Sequence, residues 1–328
     1  MIQAMRIGIL TLLAALAWTS VPARAETFPN RYITLVVPFP PGGPSDHAAR
    51  LVADHMSATL GQQIVMESVT GASGMIGAAR AARAAPDGYT LVLHQLALAT
   101  GVWLFPKQGF HPEKDLAPVG MFTSTPVIIV GRRSLPASSL QELVAWMKDT
   151  SHPVKFAHAG PATIAHLCAA HFVHSIGAQA DMIPYRGGGP AINDIIAGHV
   201  DLFCAGLTSV IEHVKAGTMK GFGVSTTEPV AALPQVPSLV QLGYKELEIQ
   251  HWHALFAPAG TPRPIIDQLN AALRKAVADP RISKAFADSG ATRITPEQQT
   301  PEALAALLHS EIKRWGEVIR AGKIEVTQ

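Results

Sequence analysis

Short apolar runs alternate along this chain with longer stretches whose apolar positions recur every three or four residues. That alternation predicts strands separated by amphipathic helices. Strands are expected over 33–37, 64–67 and 90–94, with helices over 45–60 and 75–85, the βαβα order of a parallel sheet covered by helices. After Pro118 the order restarts with a strand over 126–130. A helix over 139–148, a strand over 154–158, a helix over 163–176, a strand over 181–184 and a helix over 190–197 follow. Strands over 200–203 and 221–225 extend this second sheet. A proline-rich stretch, 229–237, then leads away, and 255–258 reads as a returning strand. Ile265, Leu269, Leu273 and Val277, then Leu304, Leu308, Ile312, Trp315 and Ile319, are spaced as two helical stripes that serve packing. There is no low-complexity segment or short repeat.

Length agrees with two units, because 328 residues exceed what one core usually organises. Residues 1–25 have Arg6 in a short basic start, an apolar run from Ile7 to Trp18, and Ala23-Arg24-Ala25 as a small-x-small cleavage site. This is the pattern of a cleaved secretory signal. The run is too short to span a bilayer, and nothing later reaches roughly 18 uninterrupted apolar residues. With no Cys at the cleavage point to carry a lipid, the expected destination is the periplasm of a bacterium with two membranes.

Charge removes one class of partner. The 26 Lys and Arg face 24 Asp and Glu, and loss of Arg6 and Arg24 with the signal leaves 24 against 24, a mature net charge of zero. No basic stripe stands out, so nucleic acid is not an expected partner. Cys168 and Cys204 are the only cysteines. An oxidising compartment allows them to pair, but spacing leaves open whether they do, and two buried free thiols are the plainer reading.

Ligands of open α/β sheets bind beyond the carboxyl ends of the strands, so four strand-to-helix loops are candidates. In the first, Pro38-Phe39-Pro40-Pro41-Gly42-Gly43-Pro44-Ser45-Asp46, two glycines let backbone N–H groups approach an anion. Ser45 or Asp46 can cap the helix, whose start carries partial positive charge. A plain turn is the alternative. The second, Thr70 to Gly77, offers Ser73 as a donor. The third, Ala157 to Thr163, repeats the logic of the first in the second unit, which suggests one cleft between two sockets. The fourth, Tyr185 to Pro190, carries Arg186, either a counter-charge or a solvated rim residue. No nucleotide-binding glycine motif is present.

Five segments together resemble the Bug family, the periplasmic receptors of tripartite tricarboxylate transporters. They are Pro38-Phe-Pro-Pro-Gly-Gly43 with Asp46, Ala85-Pro-Asp-Gly-Tyr-Thr90, Pro184-Tyr-Arg-Gly-Gly-Gly-Pro190, Gly198-His-Val-Asp-Leu202 and Phe256-Ala-Pro-Ala-Gly-Thr-Pro262. The resemblance runs in order along essentially the whole mature chain. It implies an α/β, two-lobed periplasmic binding protein of type II, the Venus flytrap, with two crossing strands. The crossings are placed near Thr125 and Trp252, making lobe 1 discontinuous (26–125 and 252–328) and lobe 2 continuous (126–251).

The resemblance also implies a non-catalytic solute receptor that holds a small carboxylate between Phe39, Gly42, Gly43, Ser45 and Asp46 on one side and Gly160 and Thr163 on the other. Asp46 is assigned first to helix capping, and second to an ammonium or hydroxyl of the ligand. His166 matches a family position beside the third loop, where it would face the ligand or brace the loop. The implied partners are the carboxylate and the subunits of a membrane transporter, with the receptor a monomer and no cofactor. A receptor passing its closed form to a signalling protein is an alternative.

This chain departs from the family pattern. Relatives often have a Ser-Ser-Gly-Asn-Gly-Thr type of loop where His158-Ala159-Gly160-Pro161-Ala162-Thr163 stands here. Cys204-Ala205-Gly206 replaces a polar or acidic position, and His94-Gln95 replaces small hydroxyl residues, so the ligand should differ from those of its relatives. His94 and His158 would bring pH dependence if they face the pocket.

Fourteen histidines raise a metal-receptor alternative. His171 and His174 share a helical face, and His251 and His253 share a strand face. Neither pair is completed by a carboxylate or thiol at ligand spacing. For catalysis, G-x-S-x-G, H-E-x-x-H and C-x-x-C are all absent, and the adjacent Ser45, Asp46 and His47 do not converge on one atom.

Overall fold

The structure, a computed structural model, describes residues 27–42, 44–161, 163–288, 290–292 and 294–321. The predicted signal segment and Gly43 lie outside them. Residues 27–30 contain no helix or strand.

From Arg31 onward, nine strands form one sheet: 64–68, 33–37, 90–95, 250–258, 116–132, 202–206, 155–158 and 181–184 pair in that order, and 219–224 pairs off this path with 116–132. The first part is built from β1 (Ile33–Val37), α1 (Pro44–Leu60), β2 (Ile64–Ser68), α2 (Met75–Ala82), β3 (Thr90–Gln95), α3 (Ala97–Leu104) and the single turn α4 (Pro112–Asp115). β1 lies parallel to β2 and β3 and is buried on both faces, which its β-branched sequence suits. The second part holds α5 (Leu140–Lys148), β5 (Lys155–His158), α6 (Ile164–Ile176), β6 (Asp181–Pro184), α7 (Gly188–Ala197), β7 (Leu202–Gly206), α8 (Leu207–Lys215) and β8 (Met219–Val224). Here β5 is parallel to β6 and β7. Each part is one lobe.

Two strands join the lobes. β4 (Leu116–Arg132) pairs antiparallel with β9 (Gln250–Pro258) from Leu116 to Pro126, then with β7 and β8 beyond Val127. β9 enters opposite Pro126 and continues beside β3. Buried Ser225 pins the junction, accepting the Val127 N–H at 2.9 Å and donating to the Ile249 carbonyl at 2.5 Å. Behind it, Arg314 donates to the carbonyls of Glu246 and Glu248 at 3.0 and 2.7 Å. The closing helices α9 (Arg263–Ala278), α10 (Pro280–Asp288) and α11 (Pro301–Ala321) return to the first lobe, α9 against α1 and α11 against α3.

The core is continuous through the junction. One buried cluster runs from Val36, Val92 and Phe256 through Trp252 and Ile249 to Phe156, Phe172 and Leu202. A second, with Ile128, Phe203, Val210 and Val224, fills the other face of the second sheet.

Several elements differ from expectation. The strand expected over 126–130 is the end of a 17-residue strand, which Pro118 and Pro126 do not interrupt. α3, α8 and α10 have no counterpart in the pattern reading. α3 is apolar almost throughout because it is buried, so it shows no stripe. α2 ends at Ala82, three residues short of expectation. Cys204 lies inside β7, and it forms a disulfide with Cys168 of α6, with a Cα separation of 6.1 Å. The free-thiol reading is therefore corrected: packing α6 on β7 brings the two side chains together.

Candidate functional site

The loops singled out from sequence follow the carboxyl ends of β1 and β2 in the first lobe and of β5 and β6 in the second. In the first loop, Gly42 takes φ +77°, a left-handed conformation that glycine adopts without penalty. Its N–H is not free for a ligand: it donates to Asp46 Oδ2 at 3.0 Å, which corrects the expectation that this amide faces the anion. Asp46 is buried and also holds Arg50 at 3.1 and 3.3 Å. Burial pushes its carboxyl pKa up, but the Gly42 amide and the Arg50 guanidinium outweigh it and the net shift is downward. The carboxylate thus closes the first turn of α1 on its own loop.

Ser45, the next residue back, points inward. Its Oγ lies 2.8 Å from His253 Nε2 on β9. His253 stands opposite Gln95 in the β3–β9 register. The neighbouring inward residue of β9, His251, puts Nε2 2.6 Å from Gln95 Oε1, and the two rings lie 4.7 Å apart. Two hydrogen-bonded pairs from α1, β3 and β9 therefore lie side by side as a polar network at the lobe junction. On its second-lobe side is Gly206, the last residue of β7; a Cβ there would sit 3.6 Å from His251 Nδ1.

His94 is fully buried beside this network. Its Nδ1 accepts the Gln95 N–H at 3.0 Å, so the neutral ring carries its hydrogen on Nε2. That atom has no hydrogen-bond partner and faces Gly74 and Phe39, with the Phe39 ring edge-on at 5.5 Å. Desolvation lowers the pKa of His94 and of His251 to about 4. His251 reaches that value although part of the residue remains open to solvent. His253 falls well below the ordinary range, first through burial and then through repulsion from His251 and His94. At neutral pH these rings are uncharged.

The second and third loops meet. Gly71, Ala72, Ser73 and Gly74 all have positive φ, at 125°, 45°, 54° and 94°. Two of the four are not glycine, which is uncommon backbone held by its surroundings. The coil presents Ser73, whose Oγ donates to the Pro161 carbonyl of the other lobe at 2.9 Å. In the third loop, Thr163 caps α6, accepting the His166 N–H at 3.4 Å and donating to the Gly160 carbonyl at 2.7 Å. Gly160, at φ +114°, lies close to the Tyr185 carbonyl of the fourth loop. His158 and His166 stack at 4.4 Å. Burial lowers both pKa values; for His166, repulsion from His158 adds to it and the result is about 4.

The structure thus brings Phe39, Ser45, Asp46 and His94 around the first-lobe socket, and His158, Gly160, Thr163 and His166 around the second, with Ser73 reaching between. Arg186 is exposed. His171 bonds the Glu246 carbonyl at 3.1 Å and packs by Trp315, away from these loops. Among the described residues, no three of His, Cys, Asp and Glu are grouped to hold a metal ion. The sequence reading treated Gln95 only as a departure from the family pattern and His251 and His253 only as a candidate metal pair, and did not name them as ligand-binding residues. The available signal was their position, at the end of β3 and the start of the returning strand.

The model of the tripartite tricarboxylate transporter family receptor matches residues 48–324. The chain belongs to this family. It is 38% identical over 318 residues, 97% of this chain and 91% of the relative, to the UPF0065 protein in the TAR-I ttuE-ttuC' intergenic region of Agrobacterium vitis. Among solved structures it is similar to the periplasmic binding protein BugD, with a TM-score of 0.82 and 34% identity, covering 92% of this chain and all of that one. MatC (Rpa3494) from Rhodopseudomonas palustris with bound malate matches at TM-score 0.81 and 35% identity, covering 89% of this chain and all of that one. R. palustris Rpa4515 with adipate matches at 0.82 and 26%, covering 92% and 100%. The fold is the two-lobed periplasmic binding protein fold with two crossing strands. As a member of the tricarboxylate transporter receptor family, the chain is a solute-binding receptor and not an enzyme.

Proposed function

We propose that this receptor is exported through its N-terminal signal, captures a small dicarboxylate between its lobes, and delivers it to a tripartite tricarboxylate-type membrane transporter. In this reading residues 26–125 and 252–328 move as one body against 126–251, and the receptor acts as a monomer. The observation that carries it is the meeting of the two sockets. Ser73 ties its coil to the loop that enters α6, the same coil packs at Gly74 against His94 and Phe39 beside the loop that enters α1, and the N-termini of helices of more than three turns favour anions.

Malate and adipate, bound in two structural relatives, support a dicarboxylate as the ligand class. Closure follows from differential contact: a carboxylate touching both loops stabilises the closed arrangement, because the open one offers only half its partners. The experiment is calorimetric titration of the chain from Glu26 with malate, adipate and other C4–C6 dicarboxylates, repeated with Thr163→Val. Stoichiometric binding weakened by the variant supports the reading. Binding of none of these acids, or binding indifferent to Thr163, removes it.

A further inference from the structure

The network at the lobe junction has a property that the carboxylate reading alone does not use. Ser45–His253 and Gln95–His251 are hydrogen-bonded pairs at 2.8 and 2.6 Å, and no Lys or Arg takes part in these bonds. With Gln95 Oε1 accepting, His251 carries its hydrogen on Nε2, which leaves a lone pair on Nδ1 at the Gly206 end of the second lobe. His253 Nδ1 has no partner and is buried. Two imidazoles 4.7 Å apart therefore stand where the two lobes meet, with the Nδ1 of His253 buried and unpartnered.

We propose that the His251–His253 pair takes up one proton when a dicarboxylate enters the cleft, so that the ligand's second carboxylate meets an imidazolium created on binding. The proposal rests on the receptor reading above. The chemistry balances simply: a proton from solvent adds to an Nδ1 lone pair, and that nitrogen changes from acceptor to N–H donor toward the carboxylate. Without ligand, both rings stay neutral because desolvation opposes their charge and each repels the other's. A carboxylate within about 4–6 Å raises a neighbouring pKa by roughly 1–3 units, which lifts His251 from about 4 toward the neutral range.

The groups packed around the pair do not supply that charge themselves. β3 contributes His94 and Gln95, β4 contributes Phe122, Thr123 and Thr125, and β7 contributes Gly206. α1 contributes Ser45, while the Asp46 carboxylate is turned to Gly42 and Arg50. Among the described residues, His94 is the other titratable ring acting on His253. The stacked His158 and His166 belong to the other socket and are separable by mutation. Selectivity follows: a ligand whose second group is neutral cannot stabilise the imidazolium and should bind more weakly.

The test is calorimetry with malate and adipate between pH 6 and 8, in buffers of different ionisation enthalpy, where the acids are ionised. The expected result is measurable proton uptake at pH 6, up to roughly 0.9 proton per ligand, with affinity rising by up to about tenfold from pH 8 to 6. His251→Asn with His253→Gln should abolish the uptake and flatten the pH profile, whereas His199→Asn, at an exposed histidine outside both sockets, should retain both. Binding with no proton uptake overturns this inference while leaving the receptor reading intact. Uptake that survives in the double variant overturns it too. Failure of every C4–C6 dicarboxylate to bind at any pH removes the receptor reading and this inference together. The wild-type uptake needs no variant, so a misfolded substitution does not obscure the outcome.

Discussion

The hydroxyl of Ser73 in the first lobe is bonded to the carbonyl of Pro161 in the second at 2.9 Å, from a coil in which four successive residues have positive φ. A donor expected from sequence to serve the ligand instead ties the two ligand loops to each other. Ser73→Ala removes this tie without touching either socket. Since one hydrogen bond contributes about 0.5–1.5 kcal/mol, ligand affinity should fall roughly two- to tenfold through a shift toward the open state. Calorimetry checks this, and unchanged affinity would mean that the bond does not favour closure.

Gly74 sits where a Cβ would come within 2.7 Å of His94 Nε2 at φ +94°. Gly74→Ala should therefore displace His94 and Phe39 and cut binding by at least tenfold, while circular dichroism shows the fold retained. Full affinity in this variant would separate the His94 corner from the ligand.

The Cys168–Cys204 disulfide closes a 36-residue separation and joins α6, whose start carries Thr163, to β7, whose end is Gly206 by His251. Loop-closure entropy for a separation of that length corresponds to about 3–4 kcal/mol. Cys168→Ala or Cys204→Ala should lower the unfolding free energy by an amount of that order in a urea titration, and dithiothreitol should do the same to the wild type.

Acid should weaken the fold before carboxylates titrate. His94 is fully buried with its pKa lowered to about 4, chiefly by desolvation. The unfolded chain therefore binds more protons than the folded one as pH falls below about 6.5, the ordinary histidine value. Stability conferred by the neutral ring is complete above that pH and is lost progressively down to about 4. At 1.36 kcal/mol per unit, this one ring contributes on the order of 3 kcal/mol, and His251 and His253 shift in the same direction. Ligand-free melting temperature measured from pH 7 to 4.5 should fall steadily. A flat profile would contradict the buried neutral state.

Much of the fold was legible because each strand-to-helix passage carries its own local signature. Apolar runs marked β1, β3 and β6, and Ser139 and Thr163 announced helix starts. Uniformly apolar α3 hid its helix, since a fully buried element has no stripe. In the site, Thr163 and Ser45 could be named from capping logic. Their true partners could not: Ser45 and His253 are 208 positions apart, and no local pattern encodes a contact created by β9 returning beside β3. Cysteine pairing was hidden for the same reason.

The most direct measurement is a crystal structure of the mature receptor with whichever dicarboxylate binds most tightly. One ligand carboxylate should lie between the starts of α1 and α6, with protein atoms from both lobes in hydrogen-bond contact and the other end of the molecule at His251 and His253. A ligand held by one lobe alone, or bound outside the space between Ser45, His94, Gly160 and Thr163, would contradict the account.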